Sequence, residues 1–159
     1  MTNARERGLA RDGAVTLLPA CADDFEDLLA LRTAAMRESL ERIGRFDLAR
    51  ARARFERSFV PNTTRHVLAA AGRVGFVAIK PAPAGLLLDH LYIHPDQQGR
   101  GLGSAVLAIV LEEADAAGHS VRVGALRGSD SNRFYVRHGF IRVEESEFDI
   151  YYVRPAPTR

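Results

Sequence analysis

The spacing of apolar residues along the chain predicts seven β-strands and four helices. Short runs rich in apolar and β-branched residues, each bounded by glycine, proline or polar residues, have the pattern of strands. The strand-like runs are residues 14–18, 66–71, 74–79, 86–93, 121–125, 140–143 and 148–153. A tight turn at Ala71-Gly72-Arg73 predicts that the second and third strands form a hairpin, and residues 81–85 predict the next turn.

Between these runs, apolar residues recur every three or four positions, which is the spacing of one helix face. The first helix starts after an acidic cap at Asp23 or Asp24, and the second starts after Asp47. The third spans residues 101–117, and the fourth spans residues 130–138. The predicted buried faces are Phe25, Leu28, Leu29, Arg32 (by its apolar stem) and Met36 in the first helix, Leu48, Ala51 and Phe55 in the second, and Leu102, Val106, Ile109, Val110 and Ala114 in the third.

The order of these elements predicts the topology. A strand, a helix and a strand follow one another over residues 86–125, which indicates one parallel crossover within a mostly antiparallel sheet. The predicted fold class is therefore α/β, of the α+β kind, with a single mixed sheet flanked by helices. Residues 1–12 are polar and predict a flexible tail, and residues 13–159 predict a single domain of ordinary size.

Composition narrows the class of protein. Of the 159 residues, 47% are hydrophobic and 26% charged, as in ordinary globular domains, and no apolar run is long enough for a membrane span or a signal peptide. Basic and acidic residues are interspersed and give a net charge of only +2, so we expect neither a nucleic-acid nor a membrane partner. The one cysteine, Cys21, fits a reducing cytoplasm. The histidines and acids show no metal-ligand spacing, so we expect no metal.

A glycine-rich segment between a strand and a helix is the main candidate for chemistry. Glycines allow a sharp turn and the close approach of a ligand, and the first amide groups of a helix point outward with a partial positive charge. Together these features suit a pyrophosphate. The segment comprises Gln98, Gly99, Arg100, Gly101, Leu102, Gly103 and Ser104, with Arg100 as a charged contact at the rim.

Other interpretations of this segment stay open on the glycines alone. A dinucleotide-binding fingerprint needs a third glycine after Gly103, and a P-loop needs Gly-Lys-Ser/Thr, and the chain has neither. A tight turn whose glycines serve packing is the remaining alternative.

The segment resembles motif A of the Gcn5-related N-acetyltransferase family, Gln/Arg-x-x-Gly-x-Gly/Ala after a strand that ends near a proline. Gln98, Gly101 and Gly103 match it, and residues 132–140, Asn-Arg-Phe-Tyr-Val-Arg-His-Gly-Phe, are similar to motif B. The resemblance implies the family's fold and acetyl-CoA as cofactor. It adds as cofactor contacts the strand end Leu91, Tyr92 and Ile93, together with Asn132 and Tyr135. The chain departs from the family at Gly128, where an asparagine often contacts the cofactor, and Ser131 or Asn132 is the candidate substitute.

Direct acyl transfer from a thioester to an amine needs a proton acceptor, an oxyanion donor and a proton for the leaving thiolate. Tyr135 is the candidate acid, because a phenol with a pKa of about 10 stays protonated at neutral pH. Asp89 and His90, in the apolar strand before the glycines, are the candidate bases, and at most one faces the acceptor because they point to opposite sides. Packing for Tyr135 and structural hydrogen bonds for Asp89 and His90 remain alternatives. Cys21 lies far from both motifs in sequence and predicts no covalent intermediate.

The acceptor side is less defined. We expect a small-molecule or peptide amine near the turn between the first two helices, where arginines suit a carboxylate, although solvated helix faces are the alternative. The residues at this turn are Met36, Arg37, Glu38, Arg42, Arg45 and Phe46. The predicted function is an acetyl-CoA-dependent N-acetyltransferase. The alternatives are a non-catalytic acyl-CoA-binding regulatory domain and a nucleotide-binding protein with another cofactor, and a homodimer stays open.

Overall fold

The computed structural model describes residues 14–158, which form seven strands, four α-helices and three short 3-10 turns. The predicted order of elements is confirmed, and most predicted ends are right to within two residues. The strands are β1 Thr16–Pro19, β2 Thr64–Ala69, β3 Gly72–Ala82, β4 Gly85–Ile93, β5 Val121–Leu126, β6 Ile141–Glu145 and β7 Asp149–Arg154. The α-helices are α1 Phe25–Arg42, α2 Leu48–Ser58, α3 Leu102–Ala116 and α4 Ser131–Arg137, and the 3-10 turns are Ala22–Asp24, Pro61–Thr63 and Pro95–Gln97.

The seven strands of residues 14–158 form one sheet in the order β1-β2-β3-β4-β5-β7-β6. The pair β4 and β5 is parallel, with Leu86 opposite Val121 and Leu88 opposite Val123, and α3 makes the crossover between them. This confirms the predicted α+β class with its single parallel crossover. The turn predicted over residues 81–85 is shorter than expected, because β3 continues through Ala82 and only Pro83 and Ala84 form the turn.

Residue contacts divide the chain into two compact units. Of the described residues, the first unit contains residues 14–78 together with His90–Ala108. Its core is an aromatic cluster centred on Phe55 of α2, which is fully buried. The Phe55 ring stacks on Phe25 at 5.2 Å and meets Phe76 edge-on at 5.8 Å. Leu28 and Leu29 of α1 close this core, as the helical spacing predicted.

The second unit contains Ile79–Asp89 and residues 109–158. Its centre is the antiparallel pair β5 and β7, in which Val123 lies opposite Tyr152 and Ala125 opposite Ile150. All four side chains are buried. The unit therefore has an apolar core of its own.

The predicted flexible tail, residues 1–12, lies outside the described residues. Within the described part, no helix is both long and apolar enough to cross a membrane.

The chain entering α1 is tied to β2 by a largely buried carboxylate. Asp24 stands at the cap position of α1, as predicted, but its side chain does not cap that helix. It accepts a hydrogen bond from the Cys21 amide at 2.8 Å and lies 2.9 Å from Nε2 of the buried His66. The Cys21 amide and, next in size, His66 lower the pKa of Asp24 from its ordinary value of 3.8 to about 2. The ionised carboxylate is therefore the form that the fold stabilises.

Asp24 should make the stability of the fold decrease in acid. Its pKa in the folded chain lies below the unfolded value, so its stabilising effect is complete above about pH 4 and is lost as the pH falls towards about 2. A shift of this size corresponds to about 2 kcal/mol of unfolding free energy. We expect Asp24→Asn to lower the stability measured by urea unfolding at neutral pH and to flatten its decline in acid. Equal acid slopes for the variant and the parent chain would contradict this account.

Candidate functional site

The end of strand β4 is held in place by contacts to its neighbours in the chain. The His94 amide donates to the Val74 carbonyl at 2.8 Å, and the Gln98 amide side chain donates to the Ile93 carbonyl at 2.9 Å. A Cβ added at Gly75 of β3 would lie 2.2 Å from the Tyr92 carbonyl oxygen, so only glycine fits there. These contacts fix the point at which the glycine-rich segment begins. Gly75 was missed in the sequence, because a glycine inside a strand pattern does not reveal what approaches it.

The glycine-rich segment has a backbone that most residues avoid. Gly99 and Gly101 have φ angles of +78° and +75°, in the left-handed region that favours glycine. A Cβ added at either position would meet no atom within 4 Å. The two glycines are therefore required by the turn and not by packing, and the space beside them is open. This observation weighs against the alternative in which they serve packing alone.

Helix α3 begins directly after these glycines. The first bond of its ladder runs from the Ala105 amide to the Gly101 carbonyl at 3.0 Å. The amides of Leu102 and Gly103 precede that ladder and lie at the positive end of the helix dipole. Gly103 is helical, half-buried and not among the glycines with positive φ. Arg100 is exposed. The segment therefore places backbone donors at a helix start, which is the arrangement that binds phosphate groups in proteins.

The two candidate bases have different surroundings. Asp89 forms an ion pair with Lys80 of β3, with 2.8 Å between Oδ2 and Nζ, and both side chains are about one-fifth exposed. The Asp89 carboxylate is therefore engaged in a partly buried ion pair.

His90 is buried in the aromatic core of the first unit. Its ring meets Phe55 edge-on at 5.4 Å, and its Nε2 lies 3.1 Å from Oγ of Ser58 at the end of α2. This is the structural hydrogen bond that the sequence left open as an alternative. Whether either residue accepts the amine proton stays a prediction.

Tyr135 lies in α4, at the position where that helix is closed. The Phe140 amide donates to the Tyr135 carbonyl and the Gly139 amide to the Val136 carbonyl, at 3.1 and 3.2 Å. With φ +87° at Gly139, this is a Schellman motif, and it explains why motif B ends in Gly-Phe. The Tyr135 ring is buried and packs edge-on against Phe140 at 5.3 Å. The helix cap therefore fixes the tyrosine that the resemblance singles out.

Asn132, the predicted cofactor contact, has its side chain engaged within the second unit. Its Nδ2 donates to the carbonyls of Leu126 and Ser129, both at 2.9 Å, and its Oδ1 accepts from the Tyr152 hydroxyl at 2.8 Å. Gly128 has φ +83° and belongs to the turn that these bonds close. Asn132 thus organises the turn before α4. Its role as a cofactor contact stays a prediction.

The predicted acceptor arginines are mostly paired. Arg37 bonds Glu41 at 2.8 Å and Arg42 bonds Glu38 at 3.2 Å, one helix turn apart on the exposed face of α1. Such exposed pairs leave little unsatisfied charge for a ligand, which supports the alternative of solvated helix faces. Cys21 is exposed and lies in the turn before α1. Among residues 14–158, no group of three potential metal ligands comes together.

Comparison with known proteins gives the family. The family model described as Acetyltransferase (GNAT) domain matches residues 62–142. No curated protein matches the sequence. An acetyltransferase from Thermus thermophilus shares the fold at 22% identity, with a TM-score of 0.65 over 89% of this chain and 96% of that one.

Two further solved structures have the same fold. The PaiA N-acetyltransferase from Thermoplasma acidophilum, in complex with coenzyme A, is 16% identical and has a TM-score of 0.65 over 89% of this chain and 98% of that one. The ribosomal-protein-S18-alanine N-acetyltransferase from Escherichia coli is 14% identical and has a TM-score of 0.69 over 91% of this chain and 96% of that one. Since the family model covers half of the sequence and includes both motifs, the chain belongs to the GNAT acetyltransferase family, whose cofactor is acetyl-CoA.

Proposed function

We propose that the chain transfers an acetyl group from acetyl-CoA to an amine by direct attack in a ternary complex. The observation that carries the proposal is the geometry of the family's motif A, where two left-handed glycines in open space precede the first amides of α3. Bound acetyl-CoA supplies an activated acetyl thioester. The amides of Leu102 and Gly103 bind its pyrophosphate, and Gln98 holds the loop against the end of β4.

Tyr135 is proposed as the acid that gives its phenol proton to the departing thiolate. Its ring is clamped by Phe140 and by the helix cap, which restricts the directions that the hydroxyl can take. A positioned acid of this kind contributes about 10²–10⁴-fold to a rate. The contribution is smaller when the leaving group departs easily, as a thiolate of pKa about 8.5 does.

Asp89 or His90 is proposed as the group that removes the amine proton, directly or through water. The ion pair with Lys80 holds the Asp89 carboxylate in place, and the contact with Ser58 orients the His90 ring. The exposed Cys21 takes no part in this direct transfer, because the amine itself is the nucleophile. A reducing cytoplasm is the compartment that this single cysteine fits.

Replacement of Gly103 should block cofactor binding. A valine side chain at this position would stand beside the amides that are proposed to hold the pyrophosphate, while the helical φ of Gly103 keeps the fold unstrained. We expect Gly103→Val to lose acetyl-CoA binding in calorimetry and to keep its circular dichroism spectrum. Ala108→Val, at an exposed position of the same helix, places the same β-branched side chain in the helix and should bind normally. Unchanged affinity in folded Gly103→Val would refute the assignment of the loop.

Replacement of the base should change the pH dependence of turnover. We expect either Asp89→Asn or His90→Gln to weaken the rise of kcat/KM towards alkaline pH, with acetyl-CoA affinity retained. Lys80→Gln removes the partner of Asp89 but keeps the carboxylate, so it separates loss of the ion pair from loss of the base. If both base variants keep the parent profile, neither residue accepts the proton, and the base is another group or water.

Replacement of Tyr135 separates catalysis from binding. Tyr135→Phe retains the ring and its contact with Phe140, so the fold should persist. We expect turnover to fall by about 10²–10⁴-fold, or less if the thiolate leaves unaided, with acetyl-CoA affinity nearly unchanged. Tyr151→Phe removes another phenol from the same unit and should keep full turnover. Full turnover in Tyr135→Phe would refute the acid role and show that Tyr135 serves packing. A parent chain that binds acetyl-CoA but acetylates no amine would favour a regulatory binding domain.

A further inference from the structure

Arg32 is a buried charge on the apolar face of α1. It follows Leu28 and Leu29 by one helix turn, which places all three on the side that meets the aromatic core. Only 7% of Arg32 is exposed, so nine-tenths of the residue is removed from water. The sequence pattern predicted that its apolar stem would be buried there. It did not predict that the guanidinium Nε would be enclosed as well.

The described part of the chain offers Arg32 little compensation for its burial. Its Nε is enclosed and has no hydrogen-bond partner there, and no ion pair within residues 14–158 involves this side chain. The contact that remains is with the Tyr92 ring, whose centroid lies 5.9 Å from the guanidinium carbon. That distance is at the outer limit of a cation–π interaction. Arginine is almost never fully buried unless it is paired, so we infer that an anionic partner binds Arg32.

Three exposed arginines of the first unit, unlike Arg32, form ion pairs with carboxylates of the chain. Arg37 and Arg42 pair with acids of their own helix, and Arg52 of α2 forms a bidentate pair with Glu26 at 2.7 and 2.8 Å. These three exposed arginines thus have carboxylate partners, whereas the buried Arg32 has none within residues 14–158. A carboxylate from outside the chain would complete Arg32 in the same way.

We propose that Arg32 binds a carboxylate of the acetyl acceptor, so that the acceptor is an amine that also carries a carboxylate. This inference rests on the proposed function and names its substrate class. A guanidinium group presents a planar fork of donors that matches a carboxylate bidentately. Tyr92 belongs to the end of β4 from which the pyrophosphate loop departs, and its ring bounds the subsite. Arg32 is not needed for the phosphates of the cofactor, because the loop amides are proposed to bind them.

The first test asks whether Arg32 serves the fold. A buried charge that the fold does not need can be replaced by an apolar side chain of similar length with no loss of stability. We expect Arg32→Met to unfold at the same urea concentration as the parent chain or at a higher one. A clear loss of stability would show a structural role and overturn the proposal. Arg32→Lys, which keeps a positive charge but not the fork, provides a second variant for the measurements below.

The second test uses free α-amino acids and their carboxamides as paired acceptors. For the parent chain we expect kcat/KM to favour the acid of the best pair by about 10- to 100-fold, the range of one charged hydrogen-bond contact. This preference should disappear in Arg32→Met, fall in Arg32→Lys and persist in the control Arg52→Met. Equal use of acid and amide by the parent chain would overturn the proposal. So would a drop in acetyl-CoA affinity in Arg32→Met, which would assign Arg32 to the cofactor.

A third measurement separates this proposal from the proposed function. N-acetylglycine carries the carboxylate of a product without any reactive group, and N-acetylglycinamide lacks that carboxylate. We expect only the acid to raise the Tm of the parent chain at matched ionic strength, and neither to raise that of Arg32→Met. If no amine is acetylated but this difference is found, the subsite stands and the enzymatic function fails. If amines are acetylated but no difference is found, the subsite fails alone.

Discussion

The candidate site depends on the fixed end of strand β4. The strand stops where its backbone is held by the Val74 carbonyl on one side and by the Gln98 side chain on the other. Gly75 lets the neighbouring strand approach the Tyr92 carbonyl more closely than any side chain would permit. The glycine loop starts from this point and delivers the first turn of α3. Any displacement of the strand end would move the loop amides, so the geometry of β4 sets the geometry of the site.

The elements of the fold could be predicted because each has a local cause. The helix faces follow from apolar residues at helical spacing, and Phe55 and Leu28 lie in the core for that reason. Helix α4 is closed at Gly139 because a glycine readily adopts the positive φ found there, and that glycine is visible in the sequence. The glycine loop was recognisable because its requirements, a strand end and a helix start with glycines between, are also local. These features need no knowledge of which strand lies beside which.

Contacts between distant parts of the chain could not be predicted in the same way. The pairing of Asp24 with His66, of Asp89 with Lys80 and of Asn132 with Tyr152 depends on strand neighbours and register. The sequence identified Asp89 and His90 as unusual in an apolar strand, but it did not show their partners. The same limit applies to Arg32, whose apolar neighbours were predicted and whose missing carboxylate was not.

The distribution of charge links the fold to the proposed chemistry. The exposed Arg37, Arg42 and Arg52 are paired within or between α1 and α2, and these pairs contribute little to stability. The groups proposed to bind and react are mostly uncharged: the loop amides and the phenol of Tyr135. The charged groups among them, Asp89 and Arg32, are partly or almost fully buried. This division is physically reasonable, because amides bind a pyrophosphate without the cost of burying a cation, whereas a buried guanidinium group discriminates strongly for a carboxylate.

Amide hydrogen exchange with and without acetyl-CoA tests the central claim most directly, because it reports on the backbone groups that are proposed to bind the cofactor. If the loop amides hold the pyrophosphate, the peptide covering residues 98–104 should exchange more slowly in the presence of acetyl-CoA. The first-turn amides of Leu102 and Gly103 should show the largest change, since they precede the helix ladder. Unchanged exchange across residues 98–104 at saturating acetyl-CoA would contradict the account.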